Sequence, residues 1–329
     1  MIISRTPFRI SFFGGGTDYP DWFRKHGGAV LSTTFDKYCY ISARQLPPFF
    51  DHKYRITYSK VEDTRTTSEI EHPAVRAVLE ESGYPKGLEI HCDADLPARS
   101  GLGSSSSFVV GLQHSLQALM GKSPDPQTLA KEAIRIEQKV LQENVGSQDQ
   151  IAAAYGGFNL IEFQPNDSFN VTPIKLASQR QTELENHLML FFTGFSRIAS
   201  EVAQSKIANL HQRSEQLHRM RAQVDDALSL LHSTRDIRGF GEMLHQAWQD
   251  KRSLSDQVSN AAIDIIYERA RTAGAIGGKL LGAGGGGFLT IFADPRNHHA
   301  IRQSLDALVE VPFSFENTGS QIGGFQFGT

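Results

Sequence analysis

Pro97-Ala98-Arg99-Ser100-Gly101-Leu102-Gly103-Ser104-Ser105-Ser106-Ser107 is the stretch whose reading decides the fold. Two glycines flank a leucine, four serines follow, and Phe108, Leu112, Leu116 and Leu119 then recur at helical spacing. A glycine loop therefore runs directly into a helix N-terminus. Unpaired backbone N–H groups and the positive end of the helix dipole favour a phosphate at such a place. Glycine lets the backbone approach the anion closely. Serine hydroxyls can cap the helix, bind phosphate oxygens or ligate magnesium. Taken alone, the same run also fits an ordinary serine-capped helix after a turn.

Around this loop lies a chain of 329 residues, long enough for two domains. Lys and Arg total 33 against 36 Asp and Glu, a net charge of -3 with no basic stripe, which argues against a nucleic-acid partner. Cys39 and Cys92 have no metal-type spacing and are expected as free thiols in a reducing cytoplasm. Residues 1–7 lack the apolar core of a signal peptide, and no apolar run is long enough to span a bilayer. The expectation is a cytoplasmic protein, monomer or homodimer, acting on a small molecule away from membranes.

Strands are expected over residues 8–13, 38–43, 54–58 and 88–92, and a helix opens at His72-Pro73. The helix after the serines ends at Gly121, and another is expected over 126–144. Residues 59–70 read as a polar loop over a nucleotide. Residues 179–186 are polar without periodicity and mark the expected boundary between domains 1–183 and 184–329. In the second domain, strands are expected over 187–192, 287–292, 309–315 and 322–327. Helices fall within 199–233 and over 240–249, 261–273 and 295–308. The pattern is mixed α+β rather than a regular βαβ alternation.

Three further features carry chemistry. Ala130, Ile134, Glu137 and Leu141 share a helix face, so Glu137 is a carboxylate on an apolar face that needs a partner such as magnesium. A rim glutamate paired with Lys139 is the plain alternative. Asp149 follows Gly146-Ser147-Gln148, where an aspartate can orient or deprotonate a hydroxyl, or simply cap a helix. Residues 282–287 read Gly-Ala-Gly-Gly-Gly-Gly. A strand follows this run and a helix precedes it, the reverse of a dinucleotide fingerprint, so it reads as a close-packed loop or hairpin. Finally, the strand ending at Phe13 meets Gly14-Gly15-Gly16-Thr17-Asp18-Tyr19, a turn that can bring backbone close to a sugar. Asp18 can accept hydroxyl hydrogen bonds there. Arg9 on the strand can face a phosphate or pair with Asp149.

Together these motifs, in this order and across nearly the whole chain, resemble the GHMP kinases. The resemblance implies an N-terminal α/β domain, a ferredoxin-like C-terminal domain, a cleft between them, and use of ATP with Mg2+. It places Gly101, Leu102, Gly103, Ser104, Ser105 and Ser106 at the ATP phosphates and a hydroxyl of Ser104 or Ser105 with Glu137 on the metal. It makes Asp149 the base or hydroxyl-orienting acid, with Arg9 beside it, and lines the substrate side with Gly284, Gly285 and Gly286.

Galactokinases carry Gly-Glu-His-Thr-Asp-Tyr in the first motif, whereas Gly15 and Gly16 stand here in place of the acid and the histidine. The chain is most similar to the D-glycero-D-manno-heptose 7-phosphate kinases. These phosphorylate the anomeric hydroxyl to the 1,7-bisphosphate, toward nucleotide-activated heptose for surface polysaccharide. Gly15, Gly16 and Asp18 would then meet the sugar. A basic pocket would hold its second phosphate, with Arg197 first among candidates that include Lys37, Arg99, Lys251 and Arg252. A kinase of an unphosphorylated sugar such as fucose is the alternative within the class. A non-catalytic sugar-sensing homologue is the alternative outside it.

Overall fold

The computed structural model describes residues 1–194, 203–205, 207 and 209–323. Arg197, and the expected strand beyond residue 323, lie outside the described residues. The first sheet is built from β1 (Ile2–Phe13), β2 (Gly28–Gln45), β3 (Tyr54–Thr57), β4 (Val61–Thr64), β5 (Leu88–Ala94), β6 (Phe158–Phe163) and β7 (Phe169–Pro173). β1 and β2 run antiparallel at its centre, and Phe8, Ile10, Phe12 and Phe13 are fully buried along β1. β2 is long enough to change neighbours. Its first half pairs with β6 and its second half with β5.

The Ser104–Leu119 helix packs on β1 and β2, flanked by the Pro73–Ser82 helix and the Gln148–Tyr155 helix. His72 caps the former as its sequence suggests, its ring nitrogen accepting from the Val75 N–H. The region expected as a polar loop over the nucleotide instead contains β4 and a capped single turn at Thr67–Glu69. The helix expected to run to residue 144 is α-helical only over Pro126–Arg135. It then widens into a π-helical turn, Ile136–Val140, a local irregularity that often marks functional sites. Residues 179–186 are not a loop. They belong to a polar helix, Ser178–Asn186, in which only Leu184 is buried, so there is no apolar stripe to read.

The second sheet contains β8 (Leu188–Phe192), β9 (Ala275–Leu280), β10 (Phe288–Ala293) and β11 (Val309–Glu310), in spatial order β11-β8-β10-β9 with every neighbour antiparallel. This is the ferredoxin-like order, fourth-first-third-second along the chain. The Ser214–Leu231, Arg238–Arg252 and Ala261–Thr272 helices lie between β8 and β9. β9 lies in a stretch for which no strand was expected. Two short strands, β12 (Phe315–Glu316) and β13 (Gln321–Ile322), return to the first sheet on β2 and β1.

One apolar core joins the two sheets. Phe12 and Phe13 at the end of β1 make edge-to-face contacts with Phe240 at 5.4 and 5.1 Å, and Phe240 meets Phe292 of β10 at 5.7 Å. Each buried phenyl ring contributes about 1.5–3 kcal/mol by leaving water. This joint sets the glycine turn after β1 between the two sheets.

Candidate functional site

Gly101 and Gly103 adopt left-handed backbone with φ of 82° and 77°, a region costly for residues with a Cβ. Gly103 is the cap position of the Ser104–Leu119 helix, and no side chain caps it. The first-turn N–H groups are therefore available to a ligand. Leu102 is fully buried and contributes backbone, its carbonyl accepting the Arg9 N–H at 3.1 Å. The serines divide their work. Ser104 Oγ accepts the Arg99 N–H at 3.1 Å and so braces the loop. Ser105 is exposed, and Ser106 is turned inward.

Behind those serines lies Glu137, fully buried. Ser105 Oγ donates to its Oε1 at 3.0 Å, Ser106 Oγ to its Oε2 at 2.7 Å, and Gln150 Nε2 also to Oε2. Burial pushes its carboxyl up from 4.5 to about 7, and the charge of Glu143 adds to that, against the three donors. A divalent cation is the natural partner for such a group. The hard-oxygen pair of Glu137 and Ser105 suits magnesium. No group of three His, Cys, Asp or Glu among the described residues could hold a metal unaided. Magnesium commonly completes its shell with water and nucleotide phosphate oxygens.

Asp149 lies in the first turn of the Gln148–Tyr155 helix. Arg9 grips both its oxygens, Nε to Oδ1 and Nη2 to Oδ2, each at 2.7 Å, and sends Nη1 to the Gly101 carbonyl at 2.7 Å. This bidentate fork fixes carboxylate orientation. Arg9 is 4% exposed and Asp149 25%, so the acid is the accessible partner with the cation behind it. A Cβ on Gly103 would lie 3.4 Å from Asp149 Oδ2, which sets the acid beside the glycine loop.

Asp18 is buried in the turn after β1. Its Oδ1 accepts the Gly16 N–H at 2.8 Å, and its Oδ2 accepts Gln148 Nε2 at 2.9 Å. A Cβ at Gly146 would come within 1.9 Å of Asp18 Oδ2, so only glycine seats this carboxylate. A Cβ on Gly15 would lie in ordinary contact with Ser11 Oγ and Gln148 Nε2, each at 3.6 Å, whereas Gly16 faces Leu217 and Leu254.

The second glycine run is the hairpin between β9 and β10, and it docks on the first. A Cβ on Gly282 would meet the Gly101 Cα at 2.4 Å, and one on Gly287 the Ser100 carbonyl at 2.1 Å. Phe288 N–H donates to the Ser100 carbonyl at 3.1 Å. Gly284, Gly285 and Gly286 are all buried, and Gly285 N–H donates to the Val258 carbonyl at 2.9 Å. Lys251 is buried beneath this hairpin and donates to the carbonyls of Leu280 and Gly282, each at 2.7 Å. Among the other bases, Lys37 bonds Asp36, Arg252 bonds Asp264, and Arg99 is exposed in the phosphate loop itself.

The structure thus brings Arg9, Asp149, Gly101 and Gly103 together, and links Asp18 to Asp149 through Gln148. Three residues that hold this geometry escaped the sequence reading: Gln148, Gln150 and Gly146. Their signal was position, in the run Gly-Ser-Gln-Asp-Gln around Asp149.

Comparison with known proteins identifies the family. Two family models match, the GHMP kinases N terminal domain over residues 69–157 and the GHMP kinases C terminal over residues 207–310. A D-glycero-alpha-D-manno-heptose 7-phosphate kinase of Campylobacter jejuni is 30% identical over 315 residues, covering 92% of this chain and 93% of its own. A bifunctional fucokinase/GDP-fucose pyrophosphorylase of Arabidopsis thaliana is 26% identical over 92% of this chain, which spans 31% of that longer protein. The crystal structure of a D-glycero-D-manno-heptose 1-phosphate kinase from Bacteroides thetaiotaomicron superposes with a TM-score of 0.80 at 25% identity, covering 99% of this chain and all of that one. No helix among the described residues is long and apolar enough to cross a membrane. The chain belongs to the GHMP kinases, ATP-using enzymes, and is a kinase that transfers phosphate to a sugar hydroxyl.

Proposed function

We propose that this kinase phosphorylates the anomeric hydroxyl of D-glycero-D-manno-heptose 7-phosphate to give the 1,7-bisphosphate. The Asp149 carboxylate, held by Arg9 within reach of Gly103, carries the kinase chemistry of this reading, and the likeness to the Campylobacter jejuni heptose 7-phosphate kinase supports the substrate. The ATP phosphates lie over Gly101, Leu102, Gly103, Ser104, Ser105 and Ser106, mainly on backbone N–H groups. Ser106 contributes no hydroxyl there, since it is given to Glu137. Glu137 and Ser105 would hold Mg2+, which would offset phosphate charge.

The anomeric oxygen attacks the γ-phosphorus, the bond to the β-phosphate oxygen breaks, and ADP leaves. Asp149 accepts the hydroxyl proton. Positioning and fixed dipoles supply most of the acceleration in such transfers. Gly15 and Asp18 face the sugar, and the hairpin holding Gly284, Gly285 and Gly286 closes the cleft. In this reading residues 1–183 carry the nucleotide loop and residues 184–329 close over it, apart from the returning strands β12 and β13.

The test is magnesium-dependent ATP consumption with mannoheptose 7-phosphate, mannose 6-phosphate, fucose and galactose. Turnover confined to the heptose phosphate supports the proposal. Turnover confined to fucose refutes the phosphorylated substrate and leaves the kinase chemistry intact.

A further inference from the structure

We infer that Ser11 and Gln148 form a hydroxyl-reading wall that selects the sugar on the side away from the transferred phosphate. The inference rests on Asp149 being the acid that meets the reacting hydroxyl. Arg9 and Ser11 are two residues apart on β1 and so share a face of the strand. Gln148 and Asp149 are consecutive in the first turn of their helix. The result is two adjacent rungs. Arg9 grips Asp149, and Ser11 comes level with Gln148. Both Ser11 Oγ and Gln148 Nε2 lie 3.6 Å from the point that a Cβ on Gly15 would occupy.

Two polar atoms on the second rung have no partner among the described residues. Ser11 is 5% exposed, and its hydroxyl is buried without a hydrogen bond. Gln148 donates Nε2 to Asp18 Oδ2, which orients its amide and leaves Oε1 buried and unbonded. Buried polar groups are nearly always satisfied, so the orphaned Ser11 hydroxyl beside Gly15, with a second orphaned atom on the adjoining Gln148 amide, points to a polar group of a ligand. Oε1 only accepts, while the serine hydroxyl both donates and accepts. Side by side they match neighbouring hydroxyls on a sugar ring. A side chain at Gly15 would place its Cβ in contact with Ser11 Oγ and Gln148 Nε2 and cover them.

The experiment measures steady-state kinetics of Ser11→Ala and Gln148→Leu on whichever panel sugar the wild type phosphorylates, with thermal melts alongside. Ser11→Ala removes an atom that bonds nothing in the free protein, so its Tm should stay level or rise. Its kcat/KM for the sugar should fall about tenfold with the KM for ATP unchanged. With a deoxy sugar lacking the contacted hydroxyl, that penalty should disappear. A folded Ser11→Ala with wild-type kcat/KM for the sugar would overturn the inference. If the wild type uses fucose and not the heptose phosphate, the proposed substrate fails, and the Ser11→Ala comparison on fucose still decides the wall.

Discussion

Glu137→Gln should make the protein more stable and less active at once. The carboxyl of Glu137 is fully buried, and burial raises it from 4.5 to about 7. Between those two values the unfolded chain gives up this proton while the folded chain keeps it. Folding stability without metal therefore falls as pH rises from 4.5 to 7, by about 3 kcal/mol, and then levels off. Glutamine has the same shape and no charge. Its oxygen can accept from Ser106 and Gln150 as Oε2 does now, and its amide can donate to Ser105. Above pH 7 the metal-free variant should exceed the wild type by up to that amount, roughly 4 °C in Tm for a chain of this length.

The assay is a pair of melting curves at several pH values in a chelator, repeated with magnesium and a non-hydrolysable ATP analogue. Subtracting wild type from variant cancels the other titrating groups, leaving the Glu137 contribution. The difference should grow from near zero at pH 4.5 to its full value near pH 8. Magnesium with nucleotide should then reverse it, because a bound cation stabilises the ionised wild-type carboxylate. In kinetics the variant should need far more magnesium. Equal melts at pH 8, or an unchanged magnesium titration, would refute the burial argument and the metal assignment respectively.

Asp149→Asn should lower kcat by about 10²–10⁴-fold while an ATP analogue binds as before; wild-type turnover would remove the acid from the reaction. Gly103→Ala places a Cβ at φ 77° and 3.4 Å from Asp149 Oδ2, a strain of about 1–2 kcal/mol, and should raise the KM for ATP in a folded protein. Lys251→Met leaves the carbonyls of Leu280 and Gly282 without their donor, at about 1–3 kcal/mol each. Its Tm should drop by several degrees and the KM for ATP should rise as the hairpin loosens from Gly101. An unchanged melt would mean that Lys251 does not tether the hairpin.

The parts of this site that could be read from sequence are those written in local signals. Strand alternation into Gly14, the glycines at 101 and 103, and the apolar spacing from Phe108 onward each depend on a few neighbouring residues. The pairing of Arg9 with Asp149 was one of two options its chemistry offered, a phosphate being the other, and the family resemblance favoured it. What could not be read is what tertiary contact imposes. β9 was missed because Gly277 and Gly278 weaken any strand signal. A Cβ at Gly277 would come within 1.9 Å of the Gly241 carbonyl, so the approaching Arg238–Arg252 helix dictates that glycine. Gly146 answers to Asp18, and Gly282 and Gly287 answer to Gly101 and Ser100, in the same way. These glycines were legible as loops and illegible as contacts. Their common effect is to let backbone from both halves of the chain close on the phosphate loop. The loop therefore cannot shift without moving Arg9, which bonds the Gly101 carbonyl and Asp149 together. The glycine loop and the Asp149 carboxylate are thus joined through one guanidinium.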